Sequence, residues 1–154
     1  MAPLVTAIRE PQRGGSQAFV SDLARGLAGR GHDVHVYAAT GSQIPGVQVI
    51  DTGVDPRFLA DTLYRAGAAA GEPAAAASAA AEAAFTTAYT AIGMIRYDVI
   101  HNHAFDAPAV RLATALQAPV VHTLHLPPDQ AVAAAVGHVA RGSRPPAASS
   151  AVSA

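Results

Sequence analysis

The sequence predicts an α/β fold built on a doubly wound parallel sheet. Short apolar runs alternate with longer stretches of helical periodicity, which is typical of βαβ units. The chain has 154 residues, close to the roughly 150 residues expected of one domain. Glycine or histidine residues follow several apolar runs, at the sheet edge where such folds bind ligands.

The amino-terminal half begins with a predicted strand at residues 4–8, which form a short apolar run. A glycine turn follows, and Ser16 is a suitable cap for a helix over residues 16–30. Gly31 fits the end of that helix. The helix should pack through one apolar face, whose members are Phe19, Val20, Leu23 and Leu27.

The middle of the chain predicts two strands and one long helix. Residues 33–38 and 47–50 are apolar runs bounded by turn residues. A helical pattern at residues 58–64 is broken by glycine and proline. A long helix is expected over residues 74–96, because four apolar residues recur there at helical spacing: Phe85, Tyr89, Ile92 and Ile95.

The carboxyl-terminal part continues the alternation. Residues 98–101 and 119–124 predict strands as short and apolar as buried parallel strands usually are. Helices are expected over residues 107–116 and 128–139. Residues 142–154 are rich in proline, serine and alanine. We therefore expect one domain over residues 1–141, followed by a tail.

Composition excludes several classes of protein. Charged residues make up 14% of the chain and the net charge is −1, which argues against nucleic-acid binding. The absence of cysteine excludes disulfides and thiolate metal sites. No signal peptide or strongly apolar membrane segment is evident. We therefore expect a cytoplasmic protein, and membrane association is not indicated.

Gly14, Gly15 and Ser16 lie between the first predicted strand and the first helix. Glycines at this position allow backbone N–H groups to approach a ligand, and a helix N-terminus favours an anion. Alternatively, the glycines serve a tight turn that needs their backbone angles. The spacing matches neither common nucleotide-binding loop, so both interpretations stay open.

Four histidines lie at or after the ends of two predicted strands. His101 and His103 are two residues apart and should face the same way, and His122 and His125 are placed similarly. Such a group is compatible with zinc, or with polar residues that line a cleft. Asp98 should lie at the opposite end of its strand and Asp106 in a loop, so we expect no metal.

Four segments in this order resemble the N-terminal domain of the family-4 retaining glycosyltransferases of the GT-B fold. The resemblance implies a Rossmann-like acceptor domain, which is one half of a GT-B fold. The segments are Gly14-Gly15-Ser16-Gln17 and residues 23–34, 97–103 and 119–125.

The resemblance also implies roles for individual residues. Gly15 matches the second glycine of a loop that lies against the donor diphosphate and the acceptor hydroxyl, and Gln17 matches a polar position beside it. His101 and His103 match a pair that lines the acceptor cleft. His125 matches a histidine that contacts the transferred sugar and phosphate, and we assign it the catalytic role. Three neighbouring residues complete the predicted binding set: Gly14, Ser16 and His122.

The implied activity is hexosyl transfer, with retention, from a nucleotide-diphosphate sugar to a hydroxyl acceptor. The nucleotide sugar is a co-substrate, and no further cofactor is expected. Nothing in the sequence matches the family's second, donor-binding domain, and the tail resembles the start of the next strand. We therefore expect a truncated chain, inactive without a donor domain in cis or in trans. The alternative is a non-catalytic binding module or remnant that works only with a separate donor-domain chain.

Overall fold

The computed structural model describes residues 1–12, 14–57 and 75–142, and within these ranges helices and strands alternate as predicted. The predicted helical pattern at residues 58–64 and the tail from residue 143 lie outside the described residues. The elements are α1 (Gly15–Ala28), β1 (His35–Ala38), β2 (Gln48–Asp51), α2 (Ala75–Gly93), β3 (Ile100–Asn102), α3 (Ala107–Leu112) followed by a 3₁₀ turn (Ala113–Ala115), β4 (Val120–His122) and α4 (Gln130–Gly142).

The strands form two parallel pairs. β1 runs beside β2, with His35 opposite Gln48, and β3 runs beside β4, with Ile100 opposite Val120. β3 and β4 are joined through α3, whereas residues 39–47 between β1 and β2 contain no helix. Parallel strand pairs together with helices confirm the α/β class. The four described strands do not join into one continuous sheet, so the predicted doubly wound sheet is not observed among them.

The strand predicted at residues 4–8 is wrong, because the chain meets the sheets earlier. The Met1 amino group donates to the His101 carbonyl at 2.8 Å, and the His103 amide donates to the Met1 carbonyl at 2.9 Å. The Ala2 amide donates to the Tyr37 carbonyl, also at 2.9 Å. Pro3 has no N–H group and cannot continue this ladder. Residues 4–8 therefore bury their apolar side chains from irregular backbone.

Helix α1 is capped by Gly14 and not by Ser16, which lies inside the helix. The helix ends earlier than predicted, at Ala28, where the Gly29 amide donates to the Arg25 carbonyl. Gly31 follows with a φ of 89°, the left-handed conformation that glycine tolerates best after a helix. The predicted apolar face is largely confirmed, but Phe19 is 47% exposed.

Helix α2 carries the centre of the main core. Phe85 is completely buried, and Tyr89 and Ile92 pack in the same cluster, as the helical spacing predicts. The Tyr89 hydroxyl donates to the Ala109 carbonyl at 2.8 Å and so joins α2 to α3. Ile95 lies beyond the end of α2 and is exposed. In the part of the chain that is described, no helix is both long and apolar enough to cross a bilayer.

Burial of the Met1 amino group predicts a pH-dependent stability. Desolvation lowers the pKa of this group to about 5, from 8.0. Between these values the unfolded chain binds a proton that the folded chain does not, so stability rises with pH. We expect the free energy of unfolding to increase by about 2 kcal/mol from pH 6.5 to pH 9, at 1.36 kcal/mol per pKa unit.

Urea unfolding at several pH values measures this increase, on chain in which mass spectrometry shows that Met1 is retained. Two other buried groups, His103 and Asp106, titrate at lower pH, and their effects on stability oppose each other. The lowered pKa of His103 adds stability as pH rises to 6.5, whereas the raised pKa of Asp106 removes stability as pH rises to about 6. Acetylation of the Met1 amino group should abolish the increase in the free energy of unfolding above pH 6.5. If the acetylated chain shows the same increase, the Met1 amino group is not its cause.

Candidate functional site

Three of the predicted histidines meet at the carboxyl ends of β3 and β4. The rings of His101 and His103 have centroids 3.9 Å apart. The ring of His125 stacks on His103 at 5.3 Å, and His103 Nδ1 lies 3.1 Å from His125 Nε2. The backbone produces this arrangement because His101 and His103 are two residues apart on extended chain. We call these three residues the histidine cluster.

Side chains from the two strands hold the neighbouring histidines. His101 Nε2 lies 2.7 Å from the Thr123 hydroxyl. Asn102 Nδ2 donates to His122 Nδ1 at 3.0 Å, and Asn102 Oδ1 accepts from the Ala104 amide. His122 therefore pairs with Asn102 and makes no ring contact with the histidine cluster. The expectation that all four histidines converge is correct for three of them.

Helix α1 contacts the histidine cluster through Phe19. The Phe19 ring centroid is 5.6 Å from that of His103 and 5.4 Å from that of His125. Gly15 lies four residues earlier, one helical turn nearer the N-terminus on the same face. Phe19 thus links α1 to histidines that lie more than eighty residues further along the chain, and the glycine loop begins one helical turn before this contact.

The two loop glycines have different structural roles. Neither has a positive φ, so the interpretation based on backbone angles fails. A Cβ on Gly14 would lie 2.6 Å from Gln17 Oε1, whereas a Cβ on Gly15 would meet nothing within 4 Å. Gly14 therefore leaves room for the Gln17 side chain, and Gly15 leaves the N-terminus of α1 open.

Two polar groups on α1 are buried beside this loop. Gln17 Oε1 and Ser21 Oγ have no hydrogen-bond partner, although both side chains are buried. The first turn of α1 contains no acidic residue. Its unpaired N–H groups and the helix dipole therefore present positive potential without a nearby counter-charge. This end of the site is suited to an anion.

Burial keeps the histidines neutral. Desolvation, reinforced by His101, the Met1 amino group and His125, lowers the pKa of His103 to about 3. Burial also lowers the pKa values of His101 and His122. A neutral imidazole donates through one nitrogen and accepts through the other. Near pH 7, His101, His103 and His122 are thus hydrogen-bonding groups and not cations.

We expect an NMR titration to show this directly. The ring C–H resonances of His103 should titrate with a midpoint near 3, well below the usual value of about 6.5. Those of His101 and His122 should also titrate below 6.5. The variants His101→Gln, His103→Gln and His122→Gln assign the signals. A His103 midpoint at or above 6.5 would contradict the buried, neutral site.

The described residues contain no group of three or more His, Asp or Glu side chains able to hold a metal ion. Asp106 lies in the loop directly before α3, as predicted, and it is buried with no hydrogen-bond partner for Oδ2. Burial, aided by the charge of Asp129, raises the pKa of Asp106 to about 6.

Sequence reasoning missed three residues of this site: Phe19, Asn102 and Thr123. Phe19 was assigned to the buried helix face, although its spacing of four from Gly15 was visible in the sequence. Asn102 lies between two predicted site residues, and Thr123 directly follows a third. The position of Asn102 between His101 and His103 was the available signal for it.

Comparison with known proteins agrees with this geometry. The sequence model of Glycosyltransferase Family 4 matches residues 13–149, a stretch that includes the glycine loop, the histidine cluster and most of the described fold. A search of curated proteins gives no match to the chain. The family match covers most of the chain, and the chain therefore belongs to glycosyltransferase family 4.

Proposed function

We propose that this chain is the acceptor-side half of a retaining glycosyltransferase. It takes part in the transfer of a sugar, most simply a hexose, from a nucleotide-diphosphate sugar to a hydroxyl acceptor. The observation that carries the proposal is the contact of Phe19 with both His103 and His125. This contact brings a helix whose N-terminus is suited to phosphate and a group of imidazoles to one edge of the fold.

The chemistry requires stabilisation of a leaving phosphate. When the bond between the sugar carbon and the phosphate oxygen breaks, the electron pair stays with the nucleoside diphosphate. Backbone N–H groups at the start of α1 are oriented before the reaction and can stabilise that charge. The open space at Gly15 allows close approach, and Ser16 and Gln17 supply further donors there.

His125 is the residue we assign to the reaction itself. Its Nε2 atom contacts His103 Nδ1, and its half-buried ring stacks on His103 and meets the Phe19 ring edge-on. A ring held in this way can donate a hydrogen bond to the phosphate or to the transferred sugar. In this proposal His101 and His103 line the acceptor side, and His122 supports them through Asn102. The acceptor hydroxyl passes its proton to the departing phosphate oxygen as its own oxygen bonds to the sugar.

A second, donor-binding domain completes the proposed enzyme. The described residues offer the N-terminus of α1 and the histidines for the diphosphate. We propose that the donor domain supplies the remaining nucleotide contacts, in cis or as a separate chain. No cofactor other than the nucleotide sugar is invoked.

The experiment has two steps. Transcript sequencing upstream of Met1 and beyond the Ala154 codon identifies any donor-domain coding region. That domain is then produced with this chain, and release of nucleoside diphosphate is followed with several nucleotide sugars and hydroxyl acceptors. We expect acceptor-dependent release from the pair and none from either part alone.

Each outcome bears on a different part of the proposal. Acceptor-dependent release by this chain alone would overturn the requirement for a donor domain. A pair that associates but releases no nucleoside diphosphate, with any donor tried, would favour the non-catalytic binding module. Retention is read from the anomeric proton of the product by NMR, and an inverted product would overturn that assignment.

A further inference from the structure

His103 and His125 share a hydrogen bond between their ring nitrogens. His103 Nδ1 lies 3.1 Å from His125 Nε2, and the planes of the two rings make an angle of 28°. Such a bond needs one proton between the two nitrogens, because a ring N–H group donates and a bare ring nitrogen accepts. The pair can therefore adopt two arrangements, which differ in the direction of the hydrogen bond.

The direction of this bond decides what His125 can offer to a ligand. In its neutral form His125 carries one ring proton. If His125 Nε2 donates to His103, the Nδ1 atom of His125 is bare and can only accept. If His103 Nδ1 donates instead, the proton of His125 lies on its own Nδ1. Among the described residues this nitrogen has no hydrogen-bond partner, so it is the one that remains for a ligand.

His103 is the more deeply buried member of the pair. Only 3% of its surface is exposed, whereas His125 is half-buried. Desolvation is the main reason that the pKa of His103 is lowered to about 3, so this ring carries a single proton near pH 7. In the part of the chain that the structure describes, His103 Nδ1 is hydrogen-bonded and His103 Nε2 is not.

The surroundings of His103 favour a proton on Nδ1. At that position the proton is donated to His125 Nε2. On Nε2 the same proton would belong to an N–H group inside the fold that no described residue accepts from. Buried donors without an acceptor are rarer in proteins than acceptors without a donor, because an unpaired buried N–H group carries its full desolvation cost.

Neighbouring rings hold the two imidazoles in this orientation. The Phe19 ring meets His103 at an angle of 57° and His125 at an angle of 66°. The ring of His101 lies 3.9 Å from that of His103. A half-turn of the His103 ring would bring a carbon to the position of Nδ1 and break the hydrogen bond. Because close packing hinders such a turn, the bond to His125 persists in the folded chain.

We propose that His103 is a positioning residue, whose Nδ1–H group donates to His125 Nε2 and thereby fixes the His125 tautomer that bears its proton on Nδ1. The hydrogen bond made by one ring nitrogen sets the protonation of the other. His125 then presents a donor that is oriented before the reaction begins. Besides lining the acceptor side, His103 acts on the substrate through His125. The inference rests on the proposed function only for the identity of the group that His125 Nδ1–H contacts.

The tautomers are measured on the full chain by itself, so the result does not depend on sugar transfer. Long-range ¹H–¹⁵N NMR correlations show which nitrogen of each ring bears the proton. The spectra are recorded at pH 8.5, well above the ordinary histidine pKa of about 6.5. We expect Nδ1–H for both His103 and His125. A proton on His125 Nε2, or an equal mixture of its two tautomers, would overturn the proposal.

Two variants of His103 separate positioning from packing. His103→Leu removes the hydrogen-bond donor, whereas His103→Asn places an amide N–H group close to the position of Nδ1–H. We expect His125 to lose its preference for the Nδ1–H tautomer in His103→Leu and to keep it in His103→Asn. Urea unfolding shows whether each variant is folded, and the spectrum of the unsubstituted chain decides the direction of the bond without either of them.

Kinetics of the two-domain enzyme tests the consequence for the reaction. His103→Leu should lower kcat by about tenfold or more, because most His125 side chains would then lack the oriented donor, while KM changes little. His103→Asn should recover most of this loss, and His138→Leu, at an exposed position of α4, should leave kcat unchanged. Equal losses in folded His103→Leu and His103→Asn would contradict a positioning role. An unsubstituted pair that transfers no sugar would count against the proposed function alone.

Discussion

Replacing His125 by alanine should lower the rate of sugar transfer by the two-domain enzyme by about a hundredfold or more. Removal of one oriented hydrogen-bond donor from a developing charge typically has this effect. The loss should appear in kcat more than in KM, because the hydrogen bond from His125 strengthens only as the sugar–phosphate bond breaks. Steady-state kinetics on the assembled pair measures kcat and KM separately.

Two further variants define the origin of the loss. His138→Ala removes an exposed histidine from α4 and should leave the rate unchanged. His125→Gln keeps a donor and should retain more activity than His125→Ala. Equal stability of the three variants in urea excludes unfolding as the cause. If His125→Ala retains the full kcat, His125 has no part in the reaction.

Replacing Phe85 by alanine should destabilise the fold by about 3–5 kcal/mol, the usual cost of a large core truncation. Phe85 is completely buried in α2, next to Tyr89 and in one cluster with Leu4 and Ile92. Removing its ring leaves a cavity inside this cluster. Urea unfolding at pH 8, where the Met1 amino group has little effect, measures the change.

Phe19→Ala is the matched control, since it removes the same side chain from a site that is 47% exposed. Phe19→Ala should lower the free energy of unfolding by less than about 1 kcal/mol, because the exposed Phe19 ring buries less apolar surface than Phe85 does. It should, however, change the NMR signals of His103 and His125, which the Phe19 ring contacts. Equal destabilisation by both variants would contradict the placement of the core in α2.

Periodicity was the most reliable guide to the fold. Phe85, Tyr89 and Ile92 recur at helical spacing and all three are buried in α2. The runs at residues 33–38, 47–50, 98–101 and 119–124 each contain or overlap an observed strand. Boundaries were less accurate, because the ends of helices depend on caps, as Gly14 and Gly29 show for α1.

The first strand was mispredicted for a specific reason. Residues 4–8 are apolar and Leu4 and Ile8 are fully buried, so their burial was predictable. Apolar character does not determine pairing, which depends on where N–H groups meet carbonyl groups. Met1 and Ala2 meet those of His101, His103 and Tyr37 first, and Pro3 then ends the ladder.

The candidate site was partly visible in the sequence. His101 and His103 share a face by local geometry alone, and the glycines next to Ser16 mark the start of a helix. The approach of His125 to His103 depends on the loop after β4, and the contact of Phe19 with both depends on how α1 packs across the strands. Contacts of this kind, between residues far apart in the chain, produce no periodic pattern in a single sequence.

The sequence by itself determined the α/β class, the helical core positions and the family, since each depends on residue type and local spacing. Only the tertiary structure decided that three histidines meet while His122 pairs with Asn102, and that Gly15 leaves α1 open because of space and not backbone angle. The physical reason is the same in each case: contacts between residues distant in the chain, and the desolvation they cause, exist only once the chain has folded.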